Sequence, residues 1–305
     1  MIRRPPALRP DRRGPAPTPE PTLCAVRRPM SQQSDLELAL RLADIADGIT
    51  SRRFRARDLR VEEKPDRTPV TDADTAVEAA VREALGSARP DDAFAGEETG
   101  GSATAGRTWM VDPIDGTKNF LRGVPVWATL IALLEGGRPT VGVISAPALH
   151  SRWWAAAERG AWLRRGSPDR DPVPLRVSGT TRLAHAYLST TSTRTWDVFH
   201  SREAYLRLAE ACWEDRAFGD FLQHCMVAEG TLDIAAEPVV NPWDITAVQI
   251  LVEEAGGVCT DLLGASPQGG TGALCANPRL HRLAVEALSA PSGAALDPDP
   301  APDPV

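Results

Sequence analysis

The sequence predicts an α+β protein in which helices and sheets are stacked in layers. Three observations carry this reading. Helical apolar periods flank the folded region, short apolar runs bounded by Gly and Pro fill its middle, and strands do not alternate regularly with helices as they would in a doubly wound sheet.

The elements follow in order. Ser34-Asp35-Leu36-Glu37 reads as a capping box opening a helix with Leu42, Ile45, Ala46 and Ile49 on one stripe, so folded structure begins near Met30. A second helical pattern carries Val77, Val81, Ala84 and Leu85 and closes at Gly86. Strands are expected at Trp109-Met110-Val111, from Trp127 to Leu134, from Val141 to Ser145 and at Trp153-Trp154-Ala155. A second half begins near Leu183. It holds a helix from Ser201 to Cys212, a mixed segment from Ala217 to Glu237, a helix from Ile245 to Ala255 stopped by Gly256-Gly257, and a last helix from Leu280 to Leu288. The expected organisation is a Pro/Arg-rich tail over 1–30, an N-terminal half over 31–182, a C-terminal half over 183–290 and a Pro/Asp-rich tail over 291–305. Neither tail has a core-forming pattern.

With 305 residues and 42% hydrophobic content, the chain can bury a sizeable core. A formal net charge of -7 gives no basic field for a polyphosphate backbone, which argues against nucleic acid and for a small substrate. No apolar run reaches the ~20 residues of a membrane helix. The 5 cysteines are an odd, widely spaced set without zinc spacing and read as buried thiols in a reducing cytoplasm.

The chemistry concentrates in Trp109-Met110-Val111-Asp112-Pro113-Ile114-Asp115-Gly116-Thr117. An apolar strand stops at a proline, two aspartates three residues apart project from the turn, and Gly116-Thr117 opens a helix whose free N–H groups suit a phosphate. Hard carboxylate oxygens beside an anion cradle are what Mg2+ and a phosphate ester require. Alone, the pair reads equally well as a strand end and a helix cap. Gly96-Glu97-Glu98 adds adjacent acids, which otherwise suit a solvated loop. Asp244 opens a helix, where it could merely complement the dipole. Asp74 could be the acid of a capping box with Thr71.

Taken together, Asp112-Pro113-Ile114-Asp115-Gly116-Thr117, Gly96-Glu97-Glu98 and Trp243-Asp244 with Ala255-Gly256-Gly257 resemble the signature set of the inositol-monophosphatase-like phosphatases, in order, from Ser34 to Leu288. The resemblance implies an α/β/α/β/α sandwich and two or three Mg2+ ions held by Glu97, Asp112, Asp115, Asp244 and the Ile114 carbonyl. It further implies that Asp74 and Thr117, with Glu97, serve the attacking water, that Lys64 belongs to an active-site loop, and that Gly116 and Thr117 meet the phosphate. A homodimer is the implied assembly.

Within that superfamily, several blocks are similar to the actinobacterial-type histidinol-phosphate phosphatases. They are Lys64-Pro65-Asp66, Arg122 to Leu130, Ser145 to Leu149 with Arg152-Trp153-Trp154, and Gly219-Asp220-Phe221 with Met226 to Gly230. This likeness implies histidinol phosphate as substrate and Arg216, Asp220 and Glu237 as substrate-side residues. A substrate bearing an ammonium and an imidazole gives acidic neighbours a purpose. Plainer readings are an Arg216–Asp220 surface pair and an exposed Glu237. An inositol phosphatase, or another small phosphomonoesterase, is the rival within the class. A non-catalytic regulatory protein of the same fold is the rival outside it.

Overall fold

The computed structural model describes residues 30–65, 67–269 and 272–291, with side chains from Asp35 onward. The tails expected over 1–30 and 291–305 fall, apart from residues 30 and 291, outside the described residues, as does Asp66.

In chain order the elements are α1 (Met30–Arg53), β1 (Val61–Glu63), β2 (Pro69–Thr71), α2 (Asp72–Ala88), β3 (Ala93–Gly96), β4 (Arg107–Asp115), α3 (Thr117–Arg122), β5 (Ala128–Glu135), β6 (Arg138–Ala146), β7 (Ser151–Ala156), β8 (Ala161–Arg165) and β9 (Val173–Pro174). They continue with β10 (Tyr187–Ser189), α4 (Thr193–Phe199), α5 (Arg202–Ala211), β11 (Glu214–Arg216), α6 (Asp220–Glu229), β12 (Ile234–Glu237), α7 (Pro242–Glu254), β13 (Val258–Thr260), β14 (Ala273–Ala276) and α8 (Pro278–Ser289). Strands β3 to β9 form a seven-stranded sheet in sequence order, antiparallel except for β3 with β4. A second sheet runs β11-β10-β12-β14-β13.

Five layers result, because both faces of the large sheet are apolar. Along β5, Ile131 and Leu133 pack with α1 and α2, while Leu130, Ala132 and Leu134 pack with α6 and α7. The same two helices cover the second sheet through Cys225, Val248, Cys259 and Cys275. Helices α5 and α8 close its far face through Tyr205, Leu208, Leu280 and Leu283. A strand buried on both sides reads as a near-continuous apolar run, as Leu130 to Leu134 does. Among the described residues, no helix is long and apolar enough to cross a membrane.

Local differences from the sequence reading have simple causes. Helix α1 already runs from Met30, so Ser34 lies inside it; nothing in Ser31-Gln32-Gln33 breaks a helix. Gly86 is likewise inside α2, which caps at Arg89. Strand β4 does not stop at Pro113. It continues to Asp115 through a register shift between Asp112 and Asp115, and such a bulge is a place where a residue without an N–H is tolerated. Helix α7 begins three residues before Ile245, with Pro242 in its first turn.

Candidate active site

The bulge that carries β4 past Pro113 turns Asp112 and Asp115 toward the N-terminus of α7, where Asp244 sits in the first turn. One carboxylate oxygen from each of the three lies within 4.8 Å of the others. Asp112 is buried, and its Oδ1 has no hydrogen-bond partner. Burial, then the charges of Glu97, Asp115 and Asp244, hold the Asp112 carboxyl well above its ordinary range. Asp115 is raised by burial and by Asp220 and Asp244, and Asp244 is pushed up by burial to about 7. Both Asp115 and Asp244 also cap helices. Asp244 Oδ2 accepts from the Asn241 backbone N–H at 2.8 Å and from Asn241 Nδ2 at 3.2 Å. Asp115 Oδ2 accepts from the Phe221 N–H at 2.6 Å, so the helix it caps is the distant α6 and not the adjacent α3.

The helix-cap reading of Asp74 holds as well. Its Oδ2 accepts from the Thr71 backbone N–H at 2.8 Å and from Thr71 Oγ1 at 2.5 Å. The other oxygen, Oδ1, is buried and unpartnered, and burial lifts this carboxyl to about 7. Thr117 Oγ1 donates to the Ile114 carbonyl at 3.0 Å, which leaves that oxygen a second lone pair. Glu97 is near enough to raise Asp112, but its Oε1 pairs with Lys64 Nζ at 2.8 Å, and Lys64 also pairs with Glu98 at 2.7 Å. Glu78, which the sequence reading did not single out, holds this loop. One carboxylate oxygen accepts from the Glu98 N–H and the other from the Thr99 N–H, both at 2.8 Å. A β-carbon on Gly96 would stand 2.5 Å from that carboxylate, so any larger residue would push Glu78 off the loop amides. The available signal was the spacing: Glu78 is one helical turn beyond Asp74, on the same buried face of α2.

A cavity of about 150 Å³ includes Asp115 and Asp244 of this cluster in its lining, together with Asp220, His224, Glu237 and Thr191. Asp220 Oδ2 accepts from Asn119 Nδ2 at 3.1 Å, and its own N–H donates to Thr191 Oγ1 at 2.8 Å. Gly116, at φ 83°, brings α3 against that carboxylate; a β-carbon there would lie 2.9 Å from the Val126 carbonyl and 3.4 Å from Asp220 Oδ2. Glu237 is buried, contrary to the exposed alternative. Its Oε1 accepts from the Thr191 N–H at 2.6 Å, from Thr191 Oγ1 and from Gln223 Nε2. Arg216 is not brought to the site. It lies exposed on the edge strand β11, pairs with Glu214 at 2.6 Å and is not in the cavity lining, so neither a cavity role nor the Arg216–Asp220 pair is seen.

Three converging carboxylates with orphaned buried oxygens on Asp112 and Asp74 fit a divalent cation. Like charges so close are tolerable in low dielectric only when protonated or neutralised, and hard oxygen donors select Mg2+-like ions.

Comparison with known proteins places the chain in a family. Residues 31–291 match the model of the inositol monophosphatase family. The chain is 56% identical to a histidinol-phosphatase of Mycobacterium tuberculosis over 84% of its length and 98% of that protein, and 47% identical to a histidinol-phosphatase of Streptomyces coelicolor over 81% and 94%. Its fold superposes on an inositol monophosphatase from Zymomonas mobilis with TM-score 0.74 at 30% identity, covering 85% of this chain and 99% of that one. With its carboxylate cluster on the bulged strand and its helices sandwiching two sheets, the chain belongs to the inositol monophosphatase family.

Proposed function

We propose that this protein is a Mg2+-dependent phosphomonoesterase that hydrolyses histidinol phosphate to histidinol and phosphate. The observation that carries the reading is the single cavity joining Asp115 and Asp244 to a wall that holds Asp220 and Glu237. The phosphate end of an ester would face the first pair and a cationic alcohol the second. The names of the actinobacterial relatives support the same substrate.

Bound divalent ions, two or three by family likeness, would supply charge neutralisation at the phosphoryl oxygens, an acidified water and a clamp on the leaving oxygen. Glu97, Asp112, Asp115, Asp244 and the Ile114 carbonyl would hold them. Asp74 stands ready as proton acceptor for the attacking water. Thr71 fixes one of its oxygens, the other is unpartnered, and burial sets its basicity near neutrality. Thr117, anchored by the Ile114 carbonyl, would orient that water, and the amides at Gly116-Thr117 would meet the phosphate. Lys64 would leave Glu97 when cation binds, since one carboxylate oxygen cannot serve both fully. At the other end, Glu237 is pre-oriented by three donors and Asp220 by Asn119, so the acidic wall costs little to organise around an ammonium. A reducing cytoplasmic setting accords with Cys212, Cys225, Cys259 and Cys275, all free thiols, and a homodimer is the assembly the family suggests.

The test is phosphate release by the purified protein with Mg2+ on histidinol phosphate, inositol 1-phosphate and β-glycerophosphate. A kcat/KM for histidinol phosphate at least tenfold above the others is expected. Preference for inositol 1-phosphate would replace the substrate, and no metal-dependent turnover of any ester would overturn the activity.

A further inference from the structure

Helix α6 enters the cavity wall with Asp220 and presents His224 one turn later on the same face. His224 is 4% exposed, and its Nδ1 finds no hydrogen-bond partner in the protein. The imidazole is also hydrogen-bonded to the Cys275 thiol of β14, and Asp220 and Glu237 both lie near enough to act on its charge. The other buried positions of α6 are Phe221, Gln223, Cys225, Val227 and Ala228; Gln223 is bonded to Ser189 and Glu237, whereas His224 leaves a buried ring nitrogen unpartnered, which packing alone does not require. Cys275 is itself fixed, pairing in register with Cys259 on β13 with the sulfurs 3.0 Å apart.

We propose that His224 is a specificity-determining residue of this pocket, contacting the polar groups of the released alcohol between Asp220 and Glu237. The inference rests on the phosphatase reading of the cavity and adds to it a residue that recognises the alcohol and not the phosphate. His224 is not one of the three residues, Asp112, Asp115 and Asp244, whose carboxylates converge on the cation site. The hydrogen bond to Cys275 limits rotation of the ring. A rigid aromatic ring between two carboxylates separates a flat nitrogen heterocycle from an aliphatic polyol by shape as well as by hydrogen bonding.

The test compares His224→Leu and His224→Gln with the parent protein on histidinol phosphate and p-nitrophenyl phosphate at saturating Mg2+. For His224→Leu, kcat/KM on histidinol phosphate should fall at least about tenfold further than on p-nitrophenyl phosphate, mainly through KM. His224→Gln, which keeps a polar side chain, should recover part of the difference. Equal losses on both esters, or no change in their ratio in either variant, would overturn the proposal. Thermal melting of both variants identifies a folding defect, and the glutamine variant then supplies the ratio. The parent protein's own preference is read separately. If it does not favour histidinol phosphate, the proposed substrate fails, while a shifted ratio in the variants would still mark His224 as the discriminating residue.

Discussion

Two groups of acids lie at the two ends of β4, and they are handled in opposite ways. At the base of β4, Asp35 accepts from Arg89 Nη2 at 2.9 Å and pairs with Arg107 at 3.0 Å. Asp92 takes Arg107 Nε at 2.9 Å and Trp109 Nε1 at 2.8 Å, and Arg107 reaches Glu135 as well. At the other end of the same strand, Asp112, Asp115 and Asp244 converge with no arginine among them, and Lys64 is engaged by Glu97 and Glu98. One end ties α1, α2 and β4 together by charge compensation. The other leaves compensation to something that has to arrive. A buried carboxylate by itself therefore says little about function; the sign of its neighbours says much.

The contrast breaks most sharply under two matched substitutions. Asp112→Asn should lower kcat by more than about a hundredfold, because an amide is a poor ligand and the acidified water loses its support. In metal-free buffer its thermal midpoint should equal or exceed the parent's, since one charge leaves a repelling cluster. Asp35→Asn should do the reverse. It deletes the charge that Arg89 and Arg107 share, though Arg107 keeps Asp92 and Glu135, costing about 1 kcal/mol of stability, with kcat nearly unchanged. Phosphate release and melting curves on the two proteins decide the matter, and similar behaviour in both assays would remove the distinction.

The cavity's far wall is the next place to press. Asp220→Asn and Glu237→Gln keep shape and delete charge, so kcat/KM for histidinol phosphate should fall about tenfold to a hundredfold each. The loss on p-nitrophenyl phosphate should be at least several times smaller, because its leaving group carries no cation for the wall to hold. Parallel losses on both esters would show that these acids support the cation site instead.

The two ends of β4 were not equally legible. Asp112, Asp115, Glu97 and Asp244 stand in short contiguous motifs, where a proline, a glycine and neighbouring acids are visible along the chain. The irregular succession of helical and strand patterns carried the layered α+β reading, while the five-layer stacking came only with the family resemblance. What escaped were pairings across the fold. Asp115 caps a helix that begins 105 residues later, at Asp220. Arg107 finds Asp35 and Asp92 only once α1 and α2 lie on the sheet. His224 looks like any helical residue until β12 and α7 close around it, and Arg216 sits four residues before Asp220 yet points its charge at Glu214. Sequence distance carries no information about such contacts.

Glu78 sharpens the comparison because it is a buried acid satisfied by backbone N–H groups, with neither arginine nor cation. Glu78→Gln replaces one accepting oxygen by an NH2 that faces an amide donor, so the Glu97–Thr99 turn should loosen. About a tenfold loss in kcat/KM with a midpoint lowered by about 2–4 °C is expected. An unchanged apparent affinity for Mg2+ would mean that Glu97 does not depend on this support.

The smallest effect concerns a buried group of the opposite charge type. His281 on α8 is 8% exposed, and burial lowers its pKa to about 4. Thr260 Oγ1 donates to the Asp261 carbonyl at 2.6 Å, so toward His281 Nε2, at 2.7 Å, it acts as acceptor and the ring carries its proton there. Above the unfolded value near 6.5, both states hold a neutral imidazole and the residue adds no pH dependence. Between pH 6.5 and 4 the unfolded chain binds a proton that the folded one refuses, so stability falls with falling pH, and below 4 the loss is complete. The depressed pKa corresponds to a loss on the order of 2 kcal/mol. His281→Gln keeps a donor for Thr260 and removes the titration. Its urea midpoint should lie close to the parent's at pH 7.5 and above it at pH 4.5, and an equal acid shift in both proteins would assign the acid sensitivity to other groups.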